Sequence, residues 1–69
     1  MAGTFKLITL VGVSSTSYEE AIQTAIRDAS STVRNLAWFE VKELRGRIQG
    51  DRATEFQVKL DVGFKVEGP

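Results

Sequence analysis

The most regular pattern lies toward the C-terminal end. Phe56, Val58, Leu60, Val62, Phe64 and Val66 alternate with Glu55, Gln57, Lys59, Asp61, Gly63 and Lys65. This period of two predicts a strand with one core face and one polar face. Phe5 to Val13 is rich in Val, Ile, Leu, Phe and Thr, and its apolar residues fall on both faces, which predicts a strand buried on both sides. Between them, Tyr18, Ala21, Ile22, Ala25, Ile26, Ala29, Val33 and Leu36 recur in steps of three and four. They predict a helix from Tyr18 to Asn35. Its apolar stripe is mostly Ala, so it can lie close to a sheet. Ser17 followed by Glu20 fits a capping box, and Glu19 with Glu20 suits the positive end of the helix dipole.

Ala37 to Ile48 reads as a further strand whose alternation slips phase. Phe39 and Val41 occupy odd positions, Leu44 and Ile48 even ones, which predicts a β-bulge near Lys42 or Glu43. Gln49-Gly50-Asp51-Arg52 is the turn into the last strand. The expected architecture is α+β, in strand–helix–strand–strand order, with a hairpin, a first strand beside it and the helix across one sheet face. Residues 1–69 make one domain, without repeats or linkers.

Composition narrows the chemistry. The 69 residues contain no Cys and no His, with nine basic and nine acidic side chains. This removes thiolate and imidazole relays, disulfides and Cys-built metal centres. The charges also balance locally: residues 1–35 carry three of each sign and residues 36–69 six of each. Neither a general nucleic-acid binder nor a membrane-surface binder is expected. Leu7 to Val13 is too short to span a bilayer and is not followed by a small-residue cleavage site, so the expected compartment is the cytoplasm. A chain this small buries only about 60% of its unfolded surface. With 42% hydrophobic residues and no covalent staple, it is expected to self-associate.

Glu40, Glu43, Glu55 and Asp61 are expected to pair across strands with Lys42, Arg45, Lys59 and Lys65 rather than to act as an acid/base pair. Arg45, Arg47 and Arg52 cluster around the hairpin, where they make a solvated, charged edge or grip a phosphate. Gly12, Gly46, Gly50 and Gly63 have no phosphate-loop spacing, and the three in or beside strands mark bulges or close packing. Trp38, the only Trp, shares a phase with Glu40 and Lys42 and so should face outward. A large flat ring in that position suits either a neighbouring subunit or a planar ligand. Gln57, on the polar face of the last strand, carries an amide that both donates and accepts.

Taken together, Val11-Gly12-x-Ser14, Glu20-Ala21-Ile22, Trp38-Phe39-Glu40-Val41, Arg45-Gly46, Phe56-Gln57-Val58 and Val62-Gly63-Phe64 resemble the dodecin family of small flavin-binding proteins over nearly the whole chain. The resemblance implies a β-α-β-β protomer whose three-stranded antiparallel sheet partly wraps one helix, and a hollow homo-dodecamer. It implies FMN or riboflavin stacked between symmetry-related Trp38 rings, with Gln57 hydrogen-bonding the polar edge of the flavin and Arg45 and Lys65 beside the ligand. The implied role is storage or sequestration, with quenching of flavin photochemistry and no enzymatic turnover. Some relatives also bind coenzyme A on the shell. The chain departs from common family residues at Val13, Ala37 and Lys65, which leaves Trp38 and Gln57 in place. The alternatives are a structural homo-oligomer without flavin, a flavin-dependent enzyme, and a shell binding metal ions through carboxylates.

Overall fold

The computed structural model describes residues 2–67. Four elements follow in order: β1 (Phe5–Ser14), α1 (Tyr18–Ser30), β2 (Leu36–Gln49) and β3 (Arg52–Lys65). The strands form one antiparallel sheet in the order β1-β3-β2. The strand with the cleanest alternation is therefore central. Val58, Leu60 and Val62 of β3 are fully or almost fully buried. Each contributes about 1.5–3 kcal/mol by leaving water. Ala21 and Ala25 of α1 complete this core, with Ile8, Leu10, Tyr18, Ile22, Ile26 and Leu36 packed around it.

The helix approaches the sheet closely because both partners are small. Ala21, Ala25 and Ala29 are its buried residues. Opposite them, a Cβ on Gly12 would collide with the Ala21 carbonyl and stand 3.0 Å from the Ala25 Cβ. The helix packs on β1 and β3. Beyond it, Phe39, Val41, Leu44 and Ile48 of β2 remain exposed. β1 is also covered on one side only: Ile8 and Leu10 face the helix, while Phe5, Leu7, Val11 and Val13 are exposed in a single chain. The expected double burial of this strand is not met within one protomer.

Two expectations about the helix are corrected. It ends at Ser30, not Asn35. The hydroxyls of Ser30 and Ser31 donate to the carbonyls of Arg27 and Asp28, each at 2.7 Å, and that of Thr32 donates to Ala29 at 3.4 Å. These local bonds compete with continued helix. Val33 lies past the helix, Asn35 takes φ +65° in the connection, and Leu36 opens β2. At the other end only half of the capping box forms. Ser17 Oγ accepts from the Glu20 backbone N–H at 3.0 Å. The Glu20 carboxylate turns instead to the hydroxyls of Ser14 (2.6 Å) and Thr16 (2.9 Å). The Ser17 N–H goes to Ser14 Oγ. These hydroxyls, Ser14 first, hold the Glu20 carboxyl below its ordinary range.

β3 begins at Arg52, four residues before the regular alternation, because the hairpin closes tightly. Gln49 pairs with Arg52 around a two-residue Gly50-Asp51 turn. The positive φ of +68° falls on Gly50 alone, as a type II′ turn requires. The bulge expected near Lys42 or Glu43 is present between Val41 and Glu43. Two further irregularities lie between Leu36 and Trp38 and between Arg47 and Ile48. None of the described helices is long and apolar enough to cross a membrane.

Candidate functional site

Strand register decides where the candidate residues fall. Odd-numbered residues of β3 face away from the helix. Their partners across this outer face form rows: Leu7, Gly63 and Trp38; Thr9, Asp61 and Glu40; Val11, Lys59 and Glu43; Val13, Gln57 and Arg45. Trp38 thus faces outward as its phase implies. The irregularity at Ala37 makes this possible: Leu36 pairs with Phe64 and packs on the core, while Trp38 pairs with Gly63 on the other face. Without the extra residue, both even-numbered side chains would share one face.

The indole lies face-down on Gly63. A Cβ built on Gly63 would stand 2.5 Å from Cε2, 2.5 Å from Cζ2 and 2.8 Å from Cδ2 of Trp38. Cδ2 and Cε2 are ring-fusion atoms, bonded in all in-plane directions, so a contact with them comes through the ring face. The second ring face points away from the sheet, and Trp38 is 45% exposed. Phe5 flanks the indole, with centroids 5.0 Å apart and planes inclined by 56°. This is an apolar platform with one free face.

Arg45 and Gln57 are direct cross-strand partners at the other end of the outer face. Arg45 Nε donates to Gln57 Oε1 at 2.9 Å, and Gln57 Nε2 donates to Glu55 Oε1 at 2.6 Å. Glu43 lies 3.4 Å from Arg45, and Arg47 lies 3.7 Å from Glu55. Each end of the Gln57 amide therefore has one bond made. One N–H and one oxygen lone pair remain for a ligand.

Lys65 belongs to the Trp38 end. It pairs with Phe5 and lines an open groove with Lys6, Arg34, Asn35 and Glu67. Of the expected ion pairs, Lys42 reaches Asp61 at 4.0 Å across strands and Glu40 at 3.6 Å along its own. Lys59 and Lys65 make no ion pair among the described residues.

The four sequence-predicted residues thus form two groups: Trp38 with Lys65, and Arg45 with Gln57. Gly63 and Gln57 are six residues apart on β3, about 20 Å at strand spacing. An isoalloxazine ring is shorter than that gap. Residues not singled out as site members are Gly63 and Phe5 at the indole, and Glu43 and Glu55 at the amide. A glycine in a polar phase was the one available signal, since it marks a close approach. A small cavity of about 140 Å³ lies between the helix and β2, lined by Ile26, Leu36, Ala37, Trp38, Phe39 and Val62. It is below the size usual for a cofactor pocket.

Comparison with known proteins agrees with this fold. The Dodecin family model matches residues 4–67. The curated dodecin of Thermus thermophilus is 48% identical over 67 residues, covering 97% of each chain. A crystal structure of a Thermus thermophilus protein superposes with a TM-score of 0.94 at 46% identity, covering 99% of this chain and all of that one. The dodecin of Streptomyces coelicolor gives a TM-score of 0.92 at 36% identity, covering 97% of this chain and 96% of that one. The β-α-β-β order, the open antiparallel sheet and the helix all match, and the chain belongs to the dodecin family of small flavin-binding proteins.

Proposed function

We propose that this protein stores and sequesters flavin, FMN or riboflavin, by stacking it on Trp38 within a homo-dodecamer. The observation that carries this reading is the indole seated face-down on Gly63 with its other face free. A flavin has flat, largely apolar faces and one polar edge of alternating carbonyls and an N–H. Trp38 supplies the stacking surface, and the free N–H and lone pair of Gln57 match the polar edge. Arg45 and Lys65 are the cations suited to a phosphate, which FMN has and riboflavin lacks.

One protomer does not bring these groups together. The separation of about 20 Å between the Gln57 and Gly63 rows supports a site in which a ring touching both Trp38 and Gln57 takes them from different chains. Self-association has its own support. Among the described residues ten large hydrophobic side chains are exposed on the single chain, including Phe39, Val41, Leu44 and Ile48 on the sheet face beyond the helix. Apolar surface on that scale marks an interface.

The role is binding without turnover. Stacking on an electron-rich indole gives an excited flavin a fast route to the ground state. This suits a protein that buffers free flavin and limits its photochemistry. Titrating riboflavin and FMN with ligand-stripped protein tests the reading. Fluorescence should be quenched strongly and saturate near one flavin per chain. Unquenched flavin at micromolar protein would leave a structural oligomer in its place.

A further inference from the structure

We propose that Gly63 is a positioning residue for the ligand-stacking ring: its missing side chain is the seat that holds the Trp38 indole flat against the sheet. The ligand part of this inference rests on the flavin-stacking reading, while the seat itself rests on geometry alone.

Glycine inside a strand normally costs stability, because it packs nothing and loses more chain entropy than other residues. One common reason to keep it is a backbone conformation that other residues avoid. That reason is absent here. Among the described glycines only Gly50 has positive φ, so Gly63 has backbone angles open to any L-residue. The nearest obstacle to an alanine at this position is one side chain, Trp38. A Cβ there would meet three indole atoms at 2.5–2.8 Å, closer than carbon atoms approach without overlap. Its three nearest neighbours are all Trp38 ring atoms. Space, not conformation, is what the glycine provides.

The ring has little freedom to yield. It is not the far end of a flexible chain but a rigid bicycle, and Phe5 stands against it with centroids 5.0 Å apart. Trp38 is fixed to Gly63 by register, just after the irregularity at Ala37. Gly63 below and Phe5 beside it therefore set both the tilt and the height of the platform. A methyl group at position 63 lifts the indole off the strand and tips its free face. Stacking depends on parallel planes, so the tilt weakens the site while Gln57, Arg45 and the core stay as they are.

The test combines Gly63→Ala and Trp38→Ala in a double-mutant cycle, with riboflavin as the probe. Gly63→Ala should raise the riboflavin dissociation constant about tenfold or more and change the Trp emission and near-UV circular dichroism of the unliganded protein. Its melting temperature should fall in the wild-type background and stay level or rise when Trp38 is already Ala, since the overlap is then gone. Equal shifts in both backgrounds would show that Gly63 acts on the strand and not on the indole, and would overturn the inference. So would an unchanged dissociation constant in a Gly63→Ala protein whose wild type binds. If the wild type itself binds no riboflavin, the flavin reading falls and takes the ligand role of Gly63 with it. The melting cycle and Trp spectra still decide whether the seat exists.

Discussion

Separation of Trp38 from Gln57 on one chain leads to a prediction about mixed assemblies. Gln57 lies three outer-face rows from Gly63, about 20 Å away at strand spacing, so under the proposed function each flavin should take its stacking ring and its amide from different protomers. Co-expressing Trp38→Ala and Gln57→Ala chains in equal amounts tests this. Trp38→Ala alone offers no stacking face. Gln57→Ala alone leaves the stack but deprives the polar edge of a partner, which costs about 1–3 kcal/mol, or roughly a 5- to 150-fold loss of affinity. In random co-assembly, half of the sites carry Trp38. Half of those draw their amide from a chain that still has Gln57. About one quarter of sites, half of one half, should then bind at wild-type affinity. Another quarter should bind weakly, and the rest not at all. If both residues served a ring from the same chain, no tight site would exist in any mixture. Equilibrium dialysis of riboflavin against the purified co-assembly, set between the tight and weak dissociation constants, reads the fraction directly. A complete absence of tight sites, with both chains confirmed in the assembly by mass spectrometry, would refute the reasoning.

Further predictions concern the frame of the site. Gly12→Ala should destabilise the protein by about 1–3 kcal/mol in chemical denaturation, because the new methyl meets the backbone of Ala21 and not a side chain that can swing away. Glu20→Gln should flatten the acid limb of the stability profile. The Glu20 carboxyl is held below its ordinary value by the Ser14 and Thr16 hydroxyls, so its stabilisation is complete above the ordinary carboxylate range and is lost as pH falls through the lowered value. Thermal melts of both proteins between neutral and acidic pH should converge at the acid end, and parallel curves would show that the bonds are energetically idle. Asn35→Ala should cost about 1 kcal/mol and Asn35→Gly close to nothing, since the residue sits at φ +65°; equal melting temperatures for the two variants would show that the left-handed turn is not strained.

What the sequence made legible follows from which forces are local. The alternation of Phe56 to Val66 named the core strand, and its centre, Val58 to Val62, is the buried core. The phase slip between Val41 and Leu44 revealed a bulge because both flanking segments keep their own period. The helix end was missed because Val33 and Leu36 continue the apolar rhythm past the point where the hydroxyls of Ser30, Ser31 and Thr32 take the last carbonyls. Composition cannot rank that competition. Trp38 was legible as outward-facing and suited to a subunit or a planar ligand, and the choice of flavin came with the family resemblance. Its seat was not legible, because contact with Gly63 depends on register between strands about 25 residues apart, shifted by the irregularity at Ala37. For the same reason the resemblance places Arg45, Gln57, Trp38 and Lys65 around one ligand, yet the sheet of a single chain divides them into two groups.

The central claim is that Trp38 is the surface on which flavin rests. Its most direct test is the riboflavin dissociation constant of Trp38→Ala beside that of the wild type, with assembly size checked by analytical ultracentrifugation. The substitution removes an exposed ring from the outer face and leaves Val58, Leu60 and Val62 untouched, so the assembly should survive. Loss of nearly all binding and quenching in an intact assembly is the result expected. An intact Trp38→Ala assembly that binds and quenches riboflavin as the wild type does would contradict the account.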